Sequence, residues 1–221
     1  MGAVVSLSKG EKVELTKGKG ITQLRVGLNW EEAGKHTPET GSGSGSGSVF
    51  GFFRGLLNVE SSAPTPNVTE GNIDIDSSII MLNNQDKFVE LVYFGHKVSD
   101  CGSIKHHGDN LTGADNGQED DEVIDVYLDK VPSRVQRLVV VANIYSAISR
   151  KQHFGMINSA DIRIYNQTGE QLCQYNLTKE YSGKTAIIVG DLYRSGADWK
   201  FSAIGQGTTD PGLEALTKRY R

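Results

Sequence analysis

The run Arg137-Leu-Val-Val-Val-Ala-Asn-Ile-Tyr145 is the tightest constraint on what this chain can fold into. It is nearly all apolar and rich in β-branched side chains, which suit a pleated strand better than a helical turn. Without an alternating polar face, such a strand must be buried on both sides and lie centrally in its sheet. The rest of the chain supplies neighbours of the same kind. Leu24, Val26 and Leu28 alternate with Gln23, Arg25 and Gly27. Further short runs follow at Ile73 to Ile75, Ile79 to Met81, Val123 to Leu128, Asp161 to Asn166, Leu172 to Asn176, Thr185 to Val189 and Trp199 to Gly205. Turn signals such as Asn166-Gln-Thr-Gly169 and Ser195-Gly-Ala-Asp198 separate them at hairpin spacing. The expected fold is all-β, a β-sandwich of about ten short strands. Short helices are expected at Gly212 to Tyr220, after Asp210-Pro211, and at Ser146 to Gln152.

At 221 residues the chain suits one domain with an insertion. Its net charge of −4 and the lack of a basic stripe argue against nucleic acid as a partner. Cys101 and Cys173 match no zinc spacing and are too few for a disulfide framework, so they are read as incidental thiols. No secretory leader and no transmembrane run are expected. The start, Met1-Gly2-Ala3-Val4-Val5-Ser6, fits the myristoylation pattern but is read as a first strand, Ala3 to Leu7.

Acidity is concentrated in one place. Gly108 to Glu122 carries Asp109, Asp115, Glu119, Asp120, Asp121 and Glu122, with no Lys or Arg. Two carboxylates ~5 Å apart repel by about 0.8 kcal/mol even in water, and by more at a protein surface. A second acidic element is Asp74-Ile-Asp76. Residues two apart on a strand share a face, so Asp74 and Asp76 point together while Ile73 and Ile75 face the core. Adjacent like charges on a strand are destabilising unless something positive lies between them. A hard divalent cation with oxygen ligands relieves both conflicts, and the glycine-spaced loop favours calcium. The candidate ligands are Asp74, Asp76, Asp109, Asn110, Asp120, Asp121 and Glu122, with backbone oxygen near Thr112. They supply oxygen for one or two ions. The loop lacks EF-hand spacing. His106 and His107 diverge on neighbouring positions and are read as turn residues.

The insertion spans about 35 to 70. It contains a flexible Gly/Ser tract at 41–48 and a stiffer Pro-containing tether at 61–67. Between them lies Val49 to Leu57. At about 100° per residue, its apolar residues Val49, Phe50, Phe52, Phe53, Leu56 and Leu57 fall on one side, opposite Gly51, Arg54 and Gly55. A peptide this short is helical only against a surface, which could be its own sandwich, a partner protein or a membrane.

Several segments together resemble the TerD family of tellurium-resistance proteins. They are Val5 to Gly10, Leu24 to Trp30, Asp74 to Ser77, Gly108 to Gly113 with Asp120 to Glu122, Arg150 to Gly155, Thr185 to Arg194 and Trp199 to Gly207. The likeness covers almost everything outside 35–70. It implies a calcium-binding β-sandwich with a role in bacterial stress response, including resistance to tellurite, phage and colicins. It implies no established catalytic activity, and partners in complexes at the cytoplasmic face of the membrane. The stretch Ala114 to Glu119 is longer and less glycine-rich than the family pattern. Two other functions fit the residues: a phosphoester hydrolase using the same carboxylates with Mg²⁺ or Mn²⁺, and a membrane or partner adaptor acting through 49–57.

Overall fold

A computed structural model describes residues 4–32, 72–110, 120–177 and 180–221. The chain divides into a compact unit, residues 1–35 with 71–221, and a segment, 36–70. That segment, with Phe50, Phe52, Phe53, Leu56 and Leu57, lies outside the described residues, as do 111–119.

Among the described residues the compact unit contains two six-stranded sheets. In chain order the strands are β1 (Val5–Leu7), β2 (Lys12–Glu14), β3 (Gln23–Glu32), β4 (Ile75–Asn83), β5 (Phe88–Val92), β6 (Ile104–His106), β7 (Glu122–Tyr127), β8 (Val135–Ile144), β9 (Ile157–Asn166), β10 (Gln171–Asn176), β11 (Ala186–Ser195) and β12 (Asp198–Thr208). Sheet A runs β1-β10-β9-β3-β7-β6 and sheet B runs β2-β12-β11-β8-β4-β5. β1 and β10 pair in parallel, and the other ladders are antiparallel.

Alternation sets sheet A. Leu24, Val26, Leu28 and Trp30 of β3 are buried, as are Ile162 and Ile164 of β9 and Ile124 and Val126 of β7. They share one core with Ile75, Ile79, Met81, Leu138, Val140 and Ala142 of sheet B, so the two sheets form a sandwich. Trp30 donates its indole N–H to the Ile73 carbonyl at 3.1 Å, tying β3 to the segment that enters β4.

The central position of β8 is as expected: it lies between β11 and β4. Its second apolar face, Val139 and Val141, packs with Ile80, Leu82 and Ile188 under the C-terminal helical segment. That segment is helix α2 (Leu213–Thr217, following the single turn α1, Ala147–Arg150), continued by a 3₁₀ turn at Lys218–Tyr220. Leu216 is fully buried there. Leu216→Ala is therefore expected to cost about 2–5 kcal/mol, the range for a buried leucine truncation, read from the urea midpoint at unchanged slope. Both cysteines are free. Burial pushes the Cys173 thiol up to about 12, as befits a packing residue.

Candidate metal centre

Asp74 and Asp76 stand at the entry to β4, on the side opposite Ile73 and Ile75, both of which are in the core. The Asp74 carbonyl accepts from the Tyr145 N–H at 2.9 Å, which fixes its backbone against the end of β8. Asp76 is in register with Asn143 of β8, whose side-chain amide donates to Asp76 Oδ2 at 3.2 Å. Asp109 arrives from the loop after β6. One carboxylate oxygen from each of Asp74, Asp76 and Asp109 lies within 4.8 Å of the other two.

This triad is electrostatically strained. Burial, then Asp109 and Glu122, push the Asp74 carboxyl up to about 6. Burial, then Glu122, Asp74 and Asp109, push Asp76 up to about 8, against a lowering hydrogen bond from Asn143. Asp109 is raised as well, by partial desolvation and by Glu122, despite His106 and Lys97. Arg150 opposes the rise at Asp74, but its guanidinium also reaches the Asn72 carbonyl at 3.4 Å.

Glu122 opens β7 and is 1% exposed. Its Oε2 accepts from the Ser77 N–H at 2.6 Å and the Ser77 hydroxyl at 2.7 Å. His106 supports this contact from the end of β6. Its Nδ1 accepts from the Gly108 N–H at 3.0 Å, so its hydrogen is on Nε2, which faces the Ser77 carbonyl at 3.2 Å and Glu122 Oε2 at 3.5 Å. Both ring nitrogens are engaged, which leaves the imidazole no lone pair for a metal. The expectation that His106 is a turn residue is corrected. It is a buried strand residue, because its hydrogen bonds connect the two sheets.

Among the described residues, four buried oxygens here have no hydrogen-bond partner: Asp74 Oδ1, Asp76 Oδ1, Glu122 Oε1 and Asn143 Oδ1. Leaving such atoms unsatisfied is costly, more so for charged groups. An all-oxygen set of this kind matches a hard cation. The residues present therefore fit calcium.

The three consecutive acids go three ways. Glu122 turns toward Ser77 and the triad. Asp121 accepts from the Trp30 N–H at 2.9 Å and from Asn29 Nδ2 at 3.3 Å, while Asn110 Nδ2 lies 3.4 Å from its other oxygen. Asp120 goes to the outer face of sheet A, where the Tyr165 hydroxyl at 3.3 Å and Arg163 at 3.5 Å reach it. It is not among the oxygens that converge with Asp74 and Asp76. The Thr112 region lies outside the described residues.

Asn143, Ser77 and His106 were not visible as site residues in the sequence. Asn143 is hidden inside the apolar run of β8, and its only signal is being the one polar residue between Arg137 and Ile144. Glu90, His96 and Asp100 also bring donor atoms within 4.8 Å of one another. There Glu90 Oε1 already accepts from the Asp100 N–H at 2.8 Å and meets His96 Nε2 at 2.9 Å, which accounts for the cluster as a brace between turns.

Comparison with known proteins agrees with this architecture. A TerD domain signature matches residues 3–220. The chain is 44% identical to "Stress response protein SCP2" of Bacillus subtilis, over 98% of each chain. It is 32% identical to "Tellurium resistance protein TerD" of Serratia marcescens, over 98% of this chain and 96% of that one. A crystal structure of a homologue of telluride resistance protein (TerD) from Streptomyces coelicolor superposes with a TM-score of 0.59 at 18% identity, covering 89% of this chain and 96% of that one.

Proposed function

The chain belongs to the TerD family, and from that premise we propose that its Asp74–Asp76–Asp109 triad, with Glu122 beside it, holds a divalent cation, calcium. The ion orders the rim of a non-enzymatic module that acts in stress response of the tellurium-resistance type. The observation that carries this reading is the convergence of carboxylate oxygens from Asp74, Asp76 and Asp109 within 4.8 Å of one another, beside buried oxygens of Asp74, Asp76 and Glu122 that have no hydrogen-bond partner among the described residues. Calcium takes six to eight oxygens in flexible geometry, and its charge reverses the sign of the repulsion that raises all three aspartates. The Asn143 side-chain oxygen is a further neutral ligand candidate, one the sequence did not suggest. A second ion would draw on Asn110 and Asp121.

The relatives' names supply the physiological side: stress response and tellurium resistance. We carry these to this chain, with a cytoplasmic setting and partners near the membrane face, as part of the proposal. No helix among the described residues is long and apolar enough to cross a membrane. The adaptor role of residues 49–57 concerns residues outside those described.

Titration calorimetry tests the cation. Saturable Ca²⁺ binding is expected, with Asp109→Ala weakening it by at least about tenfold. Heat indistinguishable from dilution would refute the reading. Hydrolysis of a phosphoester with Mg²⁺ or Mn²⁺, lost in Asp76→Asn, would instead favour the enzyme, with Arg150 and Lys97 as its nearby cations.

A further inference from the structure

The outer face of sheet A carries a feature that the cation cage does not use. On that face Arg25 and Gly27 of β3 are flanked by Arg163 and Tyr165 of β9 and by Val123 and Asp125 of β7. Gly27 is in register with both Arg163 and Val123. The Asp120 carboxylate lies directly over it. A Cβ at position 27 would stand 2.1 Å from Asp120 Oδ2 and 2.2 Å from its Cγ, so no other residue leaves room for this carboxylate. Glycine here is a matter of space on the sheet rather than of a left-handed turn.

Polar groups then capture Asp120. Its side chain is 9% exposed, with Arg163 Nη1 at 3.5 Å and the Tyr165 hydroxyl at 3.3 Å from Oδ1. Arg163 is itself oriented by Asp161, at 2.6 Å through Nε and 3.2 Å through Nη2. The next residue is fixed too. The Asp121 N–H donates to the Leu28 carbonyl at 2.8 Å, and its carboxylate accepts from the Trp30 N–H. Residues two apart on a strand would share a face. Asp120 and Glu122 are on opposite faces of the sheet, because the chain bends at Asp121 before β7 begins. Alternation along β7 turns Glu122 inward with Ile124 and Val126, toward Ser77, and the seat of Asp120 holds the chain just before the bend that leads into that strand.

We infer that Asp120, seated on Gly27 and held by Arg163 and Tyr165, is a positioning residue that sets the geometry of the cation cage from the far side of the sheet, rather than a ligand. An open cleft of about 450 Å³, lined by Arg25, Asp120, Val123 and Tyr165 among others, leaves this clamp approachable from solvent. The affinity part of the inference rests on the proposed cation reading, whereas the holding of the backbone does not.

Two measurements on the full chain test it. Gly27→Ala, Asp120→Ala and Arg163→Gln are each expected to weaken Tb³⁺ binding by about tenfold, the usual scale for groups that orient metal ligands. Asp120→Asn, which keeps the acceptor for Tyr165, is expected to lose less. The number of waters on bound Tb³⁺, from luminescence lifetimes in H₂O and D₂O, stays at the wild-type value in all four. An added water in Asp120→Ala alone would make Asp120 a ligand and overturn the inference. The second measurement uses no metal. Amide exchange at Asp121 and Ser77 is expected to quicken by about tenfold in Asp120→Ala and Arg163→Gln, the mark of local opening. Unchanged exchange would overturn the clamp. If wild type binds no Tb³⁺, the cation reading fails, and exchange alone decides the clamp.

Discussion

Asp76→Asn is expected to stabilise the protein in EGTA at pH 8 while abolishing its response to calcium. The wild-type carboxyl is 1% exposed and faces Glu122, Asp74 and Asp109, so its charge is opposed by burial first and by three like charges next. Asparagine keeps the shape and still accepts from Asn143, but it carries no charge to repel. The same substitution removes one anionic ligand. For wild type, a cation at a hundredfold excess over its Kd adds about 2.7 kcal/mol. That raises the melting temperature of a chain this size by roughly 5–10 °C. Scanning calorimetry of both proteins with EGTA and with millimolar Ca²⁺ gives four melting temperatures. A mutant that melts below wild type in EGTA would show that repulsion is not the governing term. A mutant that keeps the calcium shift would remove Asp76 from the site.

The second large effect is on pH. Asp74 and Asp76 are raised from 3.8 to about 6 and about 8, and Asp109 moves in the same direction. A carboxyl with a raised folded pKa binds more protons folded than unfolded between the two values, so stability falls as pH rises there. Without cation, the contribution of this cluster is complete below about pH 4 and is lost as pH climbs through 6 and then 8. Calcium requires the deprotonated forms, so its stabilising increment grows over the same window. The melting-temperature difference between calcium and EGTA is therefore expected to be small at pH 5 and largest near pH 8.5. Taking the difference cancels groups remote from the cage. An increment that shrinks with rising pH would contradict the carboxylate site.

Much of this was legible along the chain, for particular reasons. Leu24, Val26 and Leu28 alternate because sheet A has one wet face, and alternation is a local signal. The run in β8 announced a strand buried on both sides. It did not say that Leu216, more than seventy residues later, covers one of them. Asp74 and Asp76 were readable as a pair because strand geometry alone makes them neighbours. The strand count was expected near ten and is twelve among the described residues; β1 falls inside the strand expected at Ala3 to Leu7, whereas the three-residue strands β2 and β6 are too brief to show a period. His106 was misread because its partners, Ser77 and Glu122, are distant in sequence.

The triplet Asp120-Asp-Glu122 marks the boundary between the two kinds of information. The sequence by itself determined a β-sandwich and a local excess of negative charge, since periodicity and charge density are properties of neighbours along the chain. It could not say which of three consecutive acids faces the cage. Only the tertiary structure decided that, through contacts that cross between strands. Gly27 leaves a seat for Asp120, the Trp30 N–H takes Asp121, and Ser77 receives Glu122.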